Sequence, residues 1–100
     1  YLSLKNNQIA DVSSLAGFKD MTNLHLVLEN NQIADVSALA GLTQLTKLEI
    51  ASNKITDVSP LAGLLQLTSL NLNRNRIADG SVLKGLKHLR YLYINSLTKD

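Results

Sequence analysis

One phrase recurs four times along this chain: Asn7-Gln8-Ile9-Ala10-Asp11-Val12-Ser13, then Asn31 to Ser37, Asn53 to Ser59, and Asn75 to Ser81. Each unit opens on a leucine, at Leu2, Leu26, Leu48, Leu70 and Leu92, so the intervals are 24, 22, 22 and 22 residues. A unit of that length cannot bury its own apolar face, but identical units can stack and bury it against one another, so the period predicts a solenoid. Residues 1–100 then form one domain of four units, 2–25, 26–47, 48–69 and 70–91, followed by a partial fifth, 92–100. At 45% hydrophobic and 18% charged, the hundred residues can supply a core, and one Phe, three Tyr and no Trp leave its filling to aliphatic side chains.

Each stretch of the unit explains its residue types. In Leu48-Glu49-Ile50 and its equivalents the alternation sends two apolar residues inward and one outward, which predicts a short strand. Repeating coils make those strands parallel neighbours in one sheet, about 4.8 Å apart. The column Asn7, Asn31, Asn53 and Asn75 follows, and an amide that both donates and accepts suits the point where the backbone leaves the strand; a structural asparagine ladder is expected. Asp11, Asp35, Asp57 and Asp79 favour turns by accepting from nearby backbone amides. Ser13, Ser37, Ser59 and Ser81 are the expected N-caps of short helical or 3-10 turns, with Pro60 at a first helical position. Gly17, Gly41, Gly63 and Gly85 are expected to end those turns at positive φ. The pairs Phe18/Met21, Leu42/Leu45, Leu64/Leu67 and Leu86/Leu89 lead back to the next strand. The fold class is α/β: a solenoid with a short-stranded parallel sheet on its concave face and 3-10 or helical turns on its convex face.

The unit Leu48-Glu49-Ile50-Ala51-Ser52-Asn53-Lys54-Ile55-Thr56-Asp57-Val58-Ser59-Pro60-Leu61-Ala62-Gly63-Leu64 resembles a leucine-rich repeat, and the resemblance covers nearly the whole chain. Its length and its Ile-x-Asp-Val-Ser-x-Leu phrasing are similar to the bacterial internalin type and to the phosphatase-regulatory type of eukaryotes, the first being closer. The resemblance implies a right-handed horseshoe segment that binds a protein on its concave face, and it favours a secreted or cell-surface location. The start at Tyr1, in mid-repeat, reads as a piece of a longer protein.

Departures from the repeat mark places to examine. The first unit carries two additional residues around Thr22-Asn23-Leu24-His25, and Leu26 matches the strand motif better than Leu24 does. Either a tolerated insertion or a functional bulge accounts for them. Gly80, Val82 and Lys84 replace the valine, proline and alanine of the third unit, and Leu97 stands at the fifth ladder position. No capping unit is visible, so the end faces and the free sheet edge are expected to favour self-association.

The outward columns read Tyr1/Ser3/Lys5, His25/Val27/Glu29, Lys47/Glu49/Ala51, Ser69/Asn71/Asn73 and Tyr91/Tyr93/Asn95, and they vary while the framework repeats. Inward positions obey packing, whereas outward ones are free to suit a ligand. The expected partner-binding residues are Val27, Lys47, Glu49, Asn71, Tyr91 and Tyr93. The Tyr pair is of a kind enriched at binding hot spots, or else lies against a following repeat.

Other chemistries find little footing. Cysteine is absent, which removes disulfide and thiolate sites and leaves the compartment open. No apolar run approaches a membrane span and no signal peptide is visible, so no membrane insertion is expected. His25 and His88 sit at unrelated coil positions, so no catalytic triad is expected and the chain is not read as an enzyme. The aspartate column offers one carboxylate per coil, short of the six to eight oxygens calcium takes, so neither metal nor cofactor is expected. Arg74, Arg76, Lys84, Lys87, Arg90 and Lys99 make the C-terminal end basic, but spread over different parts of the coil they form no obvious stripe for nucleic acid. The sequence thus points to a protein-binding module with no catalytic step; the alternatives are a structural spacer or the targeting part of a larger enzyme.

Overall fold

In the computed structural model, which describes residues 1–94, the chain winds into coils in which strands alternate with 3-10 helices, five strands and four helices among the described residues. The strands are β1 (Leu2–Ser3), β2 (Leu24–Val27), β3 (Leu45–Glu49), β4 (Ser69–Asn71) and β5 (Tyr91–Tyr93), and they form one parallel sheet in sequence order. Leu2, Leu26, Leu48, Leu70 and Leu92 stand in register across it, as the leucine spacing predicts. The 3-10 helices Ser13–Phe18, Ser37–Gly41, Ser59–Gly63 and Ser81–Gly85 run along the opposite side. Between these two walls lies the aliphatic core, in which Leu26, Ile33, Leu39, Leu48, Ile55, Leu61 and Leu70 are fully buried.

The asparagine ladder joins one coil to the one before it. Asn53 donates through Nδ2 to the carbonyls of Ile50 and Ala51 in its own coil and of Leu28 in the preceding one, each at 3.0 Å, while its Oδ1 accepts from the Ile33 N–H at 3.0 Å. Asn31 and Asn75 repeat the pattern, with Ile9 and Ile55 as the donors to Oδ1. Asn7 is different: it is exposed and donates to Leu4 and Lys5 of its own turn. The residue before each ladder asparagine, namely Asn6, Asn30, Ser52 and Arg74, turns the chain in the left-handed region with φ between 57° and 61°. A shorter threonine column enters at the start of the strands. Thr46 Oγ1 donates to the Leu24 carbonyl at 3.1 Å and Thr68 Oγ1 to the Thr46 carbonyl at 3.2 Å.

The convex side corrects two expectations. The serines do not cap the 3-10 helices through their side chains; each serine N–H donates to the Oδ1 of the aspartate two residues earlier, at 2.8 to 2.9 Å. The carboxylate is therefore the capping group, and the serine is the first helical residue, with Pro60 second in its helix. The glycines also differ from expectation, since none has positive φ. The helices close by i to i+3 bonds, such as Leu42 N–H to Leu39 O at 3.0 Å, and need no left-handed residue to do so. A Cβ at Gly17, Gly41, Gly63 or Gly85 would meet nothing within 4 Å, so the structure does not explain glycine at those places.

The two additional residues of the first unit precede β2. Six positions separate Phe18 from Leu24 against three from Leu42 to Leu45, and the register between β2 and β3 slips by one between Leu24 and His25. Leu24, buried and paired with Leu45, thus takes the inward place expected of Met21, which is 47% exposed. At the far end Gly80 keeps the backbone angle of the valines it replaces, φ −104° against −102° to −106°. A hollow beside Gly80 is bordered by Ala78, Leu83, Leu92 and Ile94, and Leu92, in the last described strand, is 42% exposed where Leu48 is fully buried. Asn95, Leu97, Lys99 and Asp100 lie outside the described residues.

Candidate functional site

Strand alternation carries a row of side chains to the concave face because their neighbours are held in the core. Register sets His25, Lys47, Ser69 and Tyr91 side by side in one row, and Ser3, Val27, Glu49, Asn71 and Tyr93 in the next. A trough of about 480 Å³ opens across these strands, lined by His25, Lys47, Glu49, Thr68, Ser69, Arg90, Tyr91 and Tyr93. Its floor is β4, where Ser69 contributes only a hydroxymethyl group. One wall is His25, Lys47 and Glu49; the other is Arg90, Tyr91 and Tyr93.

Of the expected contact residues, Lys47, Glu49, Tyr91 and Tyr93 meet in this trough. Tyr91 and Tyr93 are 57% and 48% exposed. Asn71 stands beside Tyr93 in register, outside the lining, and its Oδ1 accepts from the Asn73 N–H at 3.1 Å. Val27 stands in the outward row between Ser3 and Glu49 but is buried; Ala51, also expected to be open, is buried beside the left-handed Ser52. His25, Thr68, Ser69 and Arg90 were not among the expected contacts. His25 and Ser69 belong to the outward columns, so alternation could have nominated them; Arg90 precedes its strand and carries no such signal.

One wall is tied together by polar bonds. His25 Nε2 donates to Glu49 Oε2 at 2.8 Å, an ion pair when the imidazole carries a second proton. The Tyr1 ring meets the His25 ring edge-on, with centroids 4.8 Å apart and planes at 89°. Glu49 is therefore committed to a neighbour, and it is the one carboxylate of the trough, against Lys47 and Arg90.

On the convex side all four column aspartates have carboxyls held below the usual carboxylate range, chiefly by the backbone N–H of the serine two residues on and then by its hydroxyl. Each carboxylate already serves as a cap. Among the described residues no group of three or more His, Cys, Asp or Glu side chains could hold a metal ion. Nor is any described helix long and apolar enough to cross a membrane. The basic residues are dispersed: Arg90 lines the trough, Lys84 borders the Gly80 hollow, and Lys87 lies by Leu65 and His88.

Residues 1–41 and 25–63 match the model of a tandem pair of leucine-rich repeats, and residues 66–84 match a further leucine-rich repeat model. Among solved structures, an internalin of Listeria monocytogenes, inlF, is 42% identical with a TM-score of 0.83, covering 89% of this chain and 26% of that one. Internalin C2 of the same organism is 38% identical with a TM-score of 0.81, covering 96% of this chain and 45% of that one. The functional domain of InlJ, described as including a cysteine ladder, shares the fold at 23% identity and a TM-score of 0.72, over 94% of this chain and 24% of that one. A comparison with curated protein sequences gave no match. This chain itself contains no cysteine. With its period, register, ladder and family matches in agreement, the chain belongs to the leucine-rich repeat family and resembles the Listeria internalins.

Proposed function

We propose that this chain is a protein-recognition module that binds its partner on the concave sheet face, without a catalytic step. The observation that carries the reading is the trough across β3, β4 and β5, where two exposed tyrosines face a charged wall over a floor of small side chains. Exposed aromatics beside polar groups are the composition of interface hot spots. Lys47, Glu49, Tyr91 and Tyr93 are the proposed principal contacts, with Asn71 at the edge and Val27 contributing shape beneath its neighbours. A secreted or cell-surface location, favoured by the internalin resemblance, goes with this role. The proposed units are those of the leucine spacing.

The test compares faces. Partner proteins captured on the immobilised chain should be lost with Tyr93→Ala or Lys47→Glu and kept with Lys54→Glu, a change at an exposed position beyond the ladder. Capture indifferent to the concave changes would favour the spacer reading instead. The half-exposed Leu92 supports self-association through the end faces. Light scattering over a concentration series should then show a rising mean mass; a constant monomer mass would contradict it.

A further inference from the structure

The trough has a charge imbalance that the general recognition role does not use. Its carboxylate, Glu49, accepts from His25 at 2.8 Å. Its two permanent cations, Lys47 and Arg90, are both exposed and make no ion pair among the described residues. They flank the start of β4 from opposite sides. Lys47 is paired in register with Ser69, and the Arg90 N–H donates to the Thr68 carbonyl at 2.8 Å. Between them the Ser69 hydroxyl makes no hydrogen bond among the described residues. An anion placed there meets a lysine, a guanidinium and a hydroxyl donor at once.

The shape selects what carries that anion. Two strand spacings, about 10 Å, separate β3 from β5, which is the room one extended chain needs with its side chains. The length of β4, three residues, accommodates about 10 Å of extended backbone. Tyr91 and Tyr93 stand along one side as an apolar wall with polar tips.

Resting on the concave-face reading, we propose that the trough receives an extended acidic segment of a partner protein, laid along β4 with an Asp or Glu carboxylate between Lys47 and Arg90. Its other side chains lie against Tyr91 and Tyr93. Charge complementarity makes this interaction weaken as salt rises, because both cations are exposed.

Three capped pentapeptides, Gly-Glu-Glu-Glu-Gly, Gly-Gln-Gln-Gln-Gly and Gly-Lys-Lys-Lys-Gly, titrated into the isotope-labelled chain by amide NMR, test it. The glutamate peptide should shift the amides of Ser69, Asn71, Tyr91 and Tyr93, and the other two should leave them in place. Lys47→Ala and Arg90→Ala should each weaken that binding about fivefold, the scale of one exposed charge pair, while Lys87→Ala, outside the trough, should not. Equal shifts of the same amides by the glutamine or lysine peptide overturn the acidic preference and leave concave-face recognition standing. Shifts confined to the surroundings of Lys87 overturn it as well, as general charge attraction. No movement of the strand amides with any peptide overturns the proposal and counts against the trough as a peptide-binding surface. The peptide comparison on the unaltered chain decides the outcome even where a variant fails to fold.

Discussion

The coil around Asn53 and the coil around Asn7 carry nearly the same residues and come out differently. Asn53 is buried and bonded to two coils, with Ile33 donating to its side-chain oxygen; Asn7 is exposed and bonded only within its own turn. The strand leucines differ likewise, Leu48 being fully buried and Leu2 only partly so. A recurring phrase therefore has no fixed energetic value. Its contribution is made between coils, as expected of a quasi-one-dimensional stack.

The largest test of that contrast is in the core. Leu48→Ala should cost about 2–5 kcal/mol in denaturant unfolding, because it leaves a cavity between coils, and Leu2→Ala clearly less. Equal costs would break the comparison. For the ladder, Asn53→Ala should cost about 1–3 kcal/mol, since buried carbonyls and the Ile33 N–H lose their partner. The same change at Asn7 should fall within the ~0.5 kcal/mol typical of surface sites. Gly80→Ala sharpens the comparison from the other end. Its φ of −104° suits any residue and an added Cβ would meet Ile94 and Leu83 at 3.5 and 3.8 Å, so the variant should gain about 0.4–1 kcal/mol in the same assay.

The smallest effect belongs to the convex aspartates, which are alike in every coil. Their folded-state pKa values are depressed, so their contribution is present above the unfolded-state pKa of about 3.9 and lost as pH falls through the lower folded value. Melting temperature should decline below about pH 4, and Asp57→Ala should flatten part of that decline. Unchanged acid sensitivity in the variant would remove the capping carboxylate from the account.

Much of this architecture was readable from spacing. Leu2, Leu26, Leu48, Leu70 and Leu92 announce the register because every coil packs the same shape against the next, and the asparagines announce their ladder for the same reason. What escaped depended on local backbone geometry. Ser13 and Asp11 are both plausible caps by residue type, and only the short 3-10 closure decides for the aspartate. Gly41 resembles a left-handed helix end, yet the left-handed residues are the four before the ladder asparagines, such as Asn30 and Ser52, and Asn23 just before the bulge of β2. Met21 and Leu24 are equally apolar, and the bulge chooses between them. At the candidate site, alternation placed Lys47, Glu49, Tyr91 and Tyr93 on one face. It could not show the 2.8 Å bond that occupies Glu49, the covering of Val27, or the approach of Arg90 from outside its strand.

On this reading the stack is held from within, while the exposed concave side chains Lys47 and Tyr93 are available to a partner. Denaturant unfolding of Lys47→Ser and Tyr93→Ser, one at a time, tests it most directly. Each should remain within about 0.5 kcal/mol of the unaltered chain. A loss at either of them matching that of Asn53→Ala would mean the concave face helps hold the coils together, and would contradict the reading.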